Sequence, residues 1–497
     1  MSDAPEKQLS QEGQPQFKRE LRFLDSTAIV VGSMIGSGIF IVSADIARTV
    51  GSPGYLLVVW LLAGALTITA ALSYGELAGM MPHAGGQYVY LREAYNPLVG
   101  FLYGWTLFLV IQSGTIAAVA VAFAKFTSVL LPGLGESQTA FSLGDFHVNV
   151  AQCVAIISIA ILTAINLRGI HGGRIVQNLF TIAKVLALFG LILLGILFGR
   201  NHAAIAANVA AFWNASWTKV SAEGLLSRET LTGTGLLAAL GVAMVGSLFS
   251  SDAWNNITFT AGEVVNPKRN IPLSLAAGTT IVTIIYLLAN IAYLSLLPIN
   301  GSPAGMDAAT RGIQFAASDR VGTAAASVLL GSTAATVMAL LIMISTFGCN
   351  NGLILSGARV SYAMANDGLF FTQCGTLNRK QVPGTALVIQ AVWASLLCVS
   401  GTYGDLLDYV IFAVLVFYIL TVAGIIILRR KRPDIDRPYR AFGYPLIPSL
   451  YILFAGAIAL DLLVMKPRYT WPGVAIVLLG IPVYYTWTFI KRRNSLR

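Results

Sequence analysis

Two ionisable side chains and two short interruptions stand inside long apolar runs, where each is costly unless it has work to do. Lys184 lies roughly ten residues from either end of the apolar run 175–198, about 15 Å of helix at ~1.5 Å per residue, too deep for its stem to carry the ammonium out easily. An ionisable group at that depth needs a cavity or a partner. Asp252 sits in a second run, 236–262, within the interruption Ser250-Ser251-Asp252-Ala253. A third run, 26–49, carries Gly36-Ser37-Gly38 at its middle, three residues that hold a helix poorly. A helix broken in hydrocarbon frees N–H and C=O groups where there is no water, at several kcal/mol each unless something satisfies them. The chemistry this predicts is binding of a polar ligand. No nucleophile, base and orienter come together to suggest an enzyme.

Helix polarity suggests which ligand. The outer half of the first broken run starts near Gly38 and presents free N–H groups and a positive dipole end, which suits a carboxylate through Gly36, Ser37 and Gly38. The halves that end at the breaks offer the carbonyls of Met34, Ile35, Phe249 and Ser250 to an ammonium group. An anion site and a cation site a few ångströms apart match an α-amino acid zwitterion. A plainer reading of Gly32 to Gly36 is small-xxx-small helix packing. Asp252 has two readings: a counter-charge for a cationic side chain or α-amine, or, preferred here, a cap on the inner half of its run, accepting from N–H groups near Asn255.

The elements that must hold these residues follow from composition. With 56% hydrophobic and 11% charged residues and a mean hydropathy of +0.73, the chain reads as an all-α, polytopic membrane protein. Apolar runs of spanning length occur at 26–49, 55–80, 98–131, 150–167, 175–198, 236–262, 273–297, 323–352, 384–400, 405–428, 446–464 and 472–490, giving twelve expected spans with both termini on one side. Of the 32 Lys and Arg residues, 22 fall on that side and nine on the other, with Lys184 alone deep in a span, which makes the terminal side cytoplasmic. The net charge of +10 is thus a topology and lipid-surface signal, with the basic cluster 429–440 drawn to anionic lipid, and nucleic acid is not an expected partner. The first 25 residues are polar, so the first span reads as an uncleaved helix. Cys153, Cys349, Cys374 and Cys398 lack C-x-x-C spacing, and His83, His147, His171 and His202 lack ligand spacing. No metal or cofactor is expected. No phosphate loop occurs, which excludes an ATP-driven pump by itself.

A secondary transporter remains, with a channel or sensor as rival; a channel would want a polar lining or rings of charge. Spans one and six are both broken and run in opposite directions, the pattern of an inverted-repeat transporter with a midplane site. The expected organisation is a cytoplasmic tail 1–25, a first repeat 26–198, an extracellular loop 199–235, a second repeat 236–428, two accessory helices within 429–490 and a cytoplasmic tail 491–497.

The run Val30 to Phe40, Gly51-Ser52-Pro53-Gly54, Ser73-Tyr74-Gly75-Glu76-Leu77 and Gly85-Gly86-Gln87-Tyr88 resemble the amino acid-polyamine-organocation superfamily, nearest to its L-type amino acid transporter branch. Val176-Gln177, Phe180-Thr181 and Lys184 extend the resemblance, as do Trp254-Asn255, Glu263 and Asn266 to Pro272, then Arg359, Tyr362 to Ala365 and Asp367-Gly368. It implies a 5+5 inverted-repeat (LeuT-like) fold and sodium-independent transport of L-amino acids, commonly by exchange. It also implies that Lys184 replaces a cation that sodium-coupled relatives hold between spans one and eight, contacting the first break and Ser345 or Thr346. Phe249 would be an aromatic lid, and Trp254 and Asn255 the substrate-contacting pair. Glu76, Glu263 and Arg359 read equally as an inner gate or as interface charges, and 267–271 as a turn with a lipid-facing charge pair. Ser250, Ser251 and Ala253 depart from the branch's pattern, Ala253 standing in place of a glycine, which leaves the side-chain pocket open. A neutral substrate is preferred; proton-coupled uptake, and cationic amino acids or polyamines with Asp252 as counter-charge, are the alternatives. Residues 132–149 lack the cysteine through which animal relatives join a heavy chain, so none is expected. The short tails fit a bacterial inner-membrane permease, a monomer or weak oligomer.

Overall fold

A computed structural model describes residues 17–143, 146–220, 226–400 and 403–495. Residues 1–16 and 496–497, the ends of the two expected tails, lie outside them. Eleven helical stretches among the described residues are long and apolar enough to cross a membrane, and a further apolar helix, Gly384–Ser400, has 17 residues. The chain is an integral membrane protein. Its spans agree with the apolar runs, with three differences. The seventh helix starts at Pro267, so 267–271 is its first turn, as the fixed φ of proline at the first helical position favours; Lys268 pairs with Asp436 at 3.0 Å. The eighth span is a short helix, Val321–Leu330, followed by Ala334–Asn366, which continues well past residue 352. Two connections, 139–149 and 216–230, carry two-stranded antiparallel hairpins, which an all-α reading omits.

Both expected breaks are present. Span one is helical over Phe23–Met34, leaves the helix at Ile35 to Ser37, and resumes at Gly38. Span six is helical over Gly233–Ser250, is irregular from Ser251 to Asn255, and resumes at Asn256. The first half of span one packs on the second half of span six, and the second half of span one on the first half of span six. Span one is also enclosed by the helices Ile170–Leu193, Pro267–Leu296 and Ala334–Asn366. The Gly51-Ser52-Pro53-Gly54 motif is a tight turn into span two: Gly51 is left-handed at φ +59, the Ser52 hydroxyl accepts from the Tyr55 amide, and Pro53 opens the helix.

Candidate functional site

Gln177, Thr181 and Lys184 are spaced by four and three residues, so one face of span five carries all three toward span one. The Gln177 amide and the Thr181 hydroxyl both reach the Ala28 carbonyl, at 3.3 and 3.2 Å. Gly32 lets them approach, since a Cβ there would lie 2.1 Å from the Gln177 side-chain nitrogen. Deeper in the bundle, Lys184 is 1% exposed and donates to the carbonyls of Gly32 at 2.8 Å, Ile35 at 2.7 Å and Ser345 at 2.9 Å. An ammonium has three donors, and all three are used. The Ser345 hydroxyl adds bonds at 3.1 Å to the carbonyls of Ile35 and Gly36, and the Cys349 thiol reaches Ser33. The Thr346 hydroxyl turns back to Ile342 and Met343 on its own helix and stands apart from this cluster. The first break is therefore braced by the Lys184 side chain of span five and the Ser345 hydroxyl of span eight.

The second break meets the first through span seven. The Tyr286 hydroxyl lies 3.0 Å from the Met34 carbonyl and 2.9 Å from the Ser250 carbonyl, so one donor addresses the carbonyl ends of both broken helices. Gly38 closes the approach, because a Cβ there would fall 2.2 Å from the Ser250 Oγ. The Ser250 hydroxyl itself bonds Gly246 on its own helix, and Phe249 is 8% exposed beside it. Ala253 holds φ +64, the left-handed conformation that glycine adopts without cost, which is the physical content of an alanine standing in place of glycine.

Asp252 does not cap the inner half of span six. Asn255 precedes that half with no side-chain cap bond, and the Asp252 carboxylate accepts instead from the Tyr418 hydroxyl at 2.6 Å. The cap reading fails because the chain turns at Ala253 and sends the carboxylate sideways, toward span ten. Trp254 packs edge-on against Tyr74 at 4.7 Å and beside Tyr418 at 5.2 Å. Asn255 donates to the Gln87 carbonyl oxygen at 2.9 Å, and Gln87 in turn donates to Thr421.

The model of a protein family described as "Amino acid permease" matches residues 21–489, almost the whole chain. The chain belongs to the amino acid permease family. Among its relatives is the human "Large neutral amino acids transporter small subunit 2", 30% identical over 99% of this chain and 84% of the relative. The mouse "b(0,+)-type amino acid transporter 1" is 28% identical over 96% of this chain and 89% of the relative. The "Serine/threonine exchanger SteT" of Bacillus subtilis is 28% identical over 96% and 98%.

In this permease the three charges read as gate or interface separate into two groups. Arg359 and Glu263 form a buried pair at 2.8 Å, with side chains 1% and 2% exposed. The segment before span one crosses the same place: Glu20 and Leu21 donate their amides to the Glu263 carbonyl, and Val265 donates to Leu21. Glu76 pairs with Arg429 at 2.7 Å and takes the Ala441 amide at 2.7 Å. Within the basic cluster, Arg432 also pairs with Glu93 and Lys431 donates to the Ala94 carbonyl, and both side chains stay exposed. Tyr286 and Tyr418 were missed by sequence reasoning. Each looks like an ordinary aromatic in an apolar helix, and only the residues opposite give its hydroxyl a role.

Proposed function

We propose that this permease moves L-amino acids across the membrane without sodium, by exchange of one for another through alternating access. The observation that carries the reading is the Lys184 ammonium, held among the carbonyls of Gly32, Ile35 and Ser345. A protein-borne cation fixed between spans one and eight makes a dissociable one redundant. The substrate's carboxylate would rest on the N–H groups of Ser37 and Gly38 and its ammonium on the carbonyls of Met34, Phe249 and Ser250, with Tyr286 yielding its bonds as the substrate enters. The Ile35 carbonyl stays with Lys184 and Ser345, and the Gly36 amide with Met34. Phe249 closes over it, and Trp254 and Asn255 line the far wall. The names of its relatives, two "transporters" and one "exchanger", support the class.

The same reading takes twelve spans, counting Gly384–Ser400, as two inverted repeats over 26–198 and 236–428, a loop at 199–235 and an accessory pair within 429–490. Both termini would lie in the cytoplasm of a bacterial cell, and the protein would work without a disulfide-linked heavy chain, as a monomer or weak oligomer. The substrate is a neutral amino acid. The test is uptake of labelled L-amino acids into sodium-free proteoliposomes, empty or preloaded, at equal and at inwardly acidic pH. Uptake confined to preloaded vesicles is the expected result. Uptake into empty vesicles that grows with the proton gradient would replace exchange by proton coupling, and a sodium requirement would overturn the role given to Lys184.

A further inference from the structure

A cleft of about 1370 Å³ opens where four helix ends meet on one face of the bundle. Its walls come from the turn between the helix Gln87–Ala94 and span three, which starts at Pro97, and from the ends of span eight (Ala334–Asn366), span ten (Tyr403–Lys431) and span twelve (Pro467–Ser495). This is the face that the proposed topology turns to the cytoplasm. Three cationic side chains line it, Arg92, Arg432 and Lys491, against two carboxylates, Glu93 and Asp367. The carboxylates are already served: Asp367 takes Arg92 and the Tyr88 hydroxyl, the latter at 2.6 Å, and Glu93 takes Arg92 at 3.1 Å and Arg432 at 2.9 Å. The cations are not. Among the described residues the Arg432 guanidinium bonds only Glu93, and the Lys491 ammonium only the Asp367 carbonyl, at 3.3 Å, although these groups carry five and three donors.

We infer that this cleft binds an anionic phospholipid, with Arg432 and Lys491 on its phosphate and its acyl chains running out over span twelve. The apolar wall beside the charges favours a lipid over a soluble anion. Tyr485 and Phe489 line it one turn apart on span twelve and are 60% and 67% exposed, as aromatic side chains at headgroup level are. The volume exceeds the ~300–1,000 Å³ that holds a drug-sized molecule, which leaves room for a headgroup and the start of its chains. Three cations against two carboxylates leave one positive charge, the match for a phosphodiester that carries a single negative one. A zwitterionic headgroup would bring an ammonium to carboxylates that are already taken. Basic pockets between helix ends at this level are where acidic headgroups settle. The site differs from a diffuse pull on the basic cluster 429–440, because Arg92 and Lys491 come from outside that cluster and Arg432 alone from within it.

The test titrates delipidated wild-type protein in detergent with dioleoyl phosphatidylglycerol, phosphatidylethanolamine or phosphatidylcholine and counts bound lipid by native mass spectrometry. Phosphatidylglycerol should half-saturate at least about fivefold below either zwitterionic lipid, and a large excess of glycerol 3-phosphate should leave it bound. Arg432→Gln/Lys491→Gln should weaken it by at least about fivefold. Arg168→Gln/Lys380→Gln, which removes two exposed charges from the same face, should leave it within about twofold of wild type. Equal affinity for the three lipids, or equal losses in the two double variants, overturns the site, and displacement by glycerol 3-phosphate overturns the lipid in favour of a soluble anion. A phosphatidylglycerol with a diazirine at the glycerol end of one acyl chain should label residues 484–489 of the wild type. Labelling confined to other helices overturns the site even where a variant fails to fold.

Discussion

Replacing Lys184 by methionine keeps most of the side-chain volume and removes all three donors. The Gly32 carbonyl loses the most, because the amide four residues on, at Gly36, bonds Met34 instead; orphaning it costs about 1–3 kcal/mol. The Ile35 carbonyl keeps the Ser345 hydroxyl at 3.1 Å, and the Ser345 carbonyl keeps its place in a continuous helix, so these lose less, about 0.5 kcal/mol each. Against this stands the relief of no longer burying an ammonium, worth several kcal/mol. The two effects act on different things. Relief of desolvation raises the stability of the whole bundle, whereas the lost bonds loosen only the break. Thermal stability in detergent should therefore change by no more than a few degrees. The fraction of molecules with a correctly formed break should fall by at least about 2 kcal/mol, roughly thirtyfold, and the apparent affinity with it. The assay is the concentration dependence of exchange in proteoliposomes beside a melting curve of the same preparation. An affinity within threefold of wild type would refute the brace, and so would a loss of affinity that only tracks a collapse in stability.

Removing either partner of the Glu263–Arg359 pair should cost about 3–5 kcal/mol by leaving a buried charge alone; the double variant Glu263→Gln/Arg359→Met should melt close to wild type, so a simple sum of the two losses would speak against a coupled pair. Ala253→Gly removes a left-handed alanine and should raise stability by about 1 kcal/mol, read as a higher melting temperature; a lower one would mean that the methyl packs usefully. Gly38→Ala places a Cβ against Ser250 and should reduce exchange at least tenfold, and adding Ser250→Gly should restore part of it. Failure of the second change to help would show that the glycine matters for its backbone and not for the close approach.

Much was legible without a structure, and for a single reason. In hydrocarbon, length and polarity carry large energies, so apolar runs declare the spans, and residues that weaken a helix or carry charge declare the breaks and Lys184. Depth along a helix is a local property and can be read from one stretch of sequence. Direction across the bundle is not. Asp252 reads locally as a cap, yet the turn at Ala253 aims it at Tyr418, 166 residues away. The basic cluster 429–440 reads locally as a lipid signal, yet Glu76 lies within reach of Arg429. Tyr286 bridges two breaks that are separate in sequence and adjacent only because spans one, six and seven pack together. Which stretches are apolar enough to cross a membrane, and where spans one and six break, can be read in the sequence alone. Tertiary structure alone decided which polar groups face one another, because a hydrogen bond is settled within a few tenths of an ångström by how the helices are rotated and set against each other.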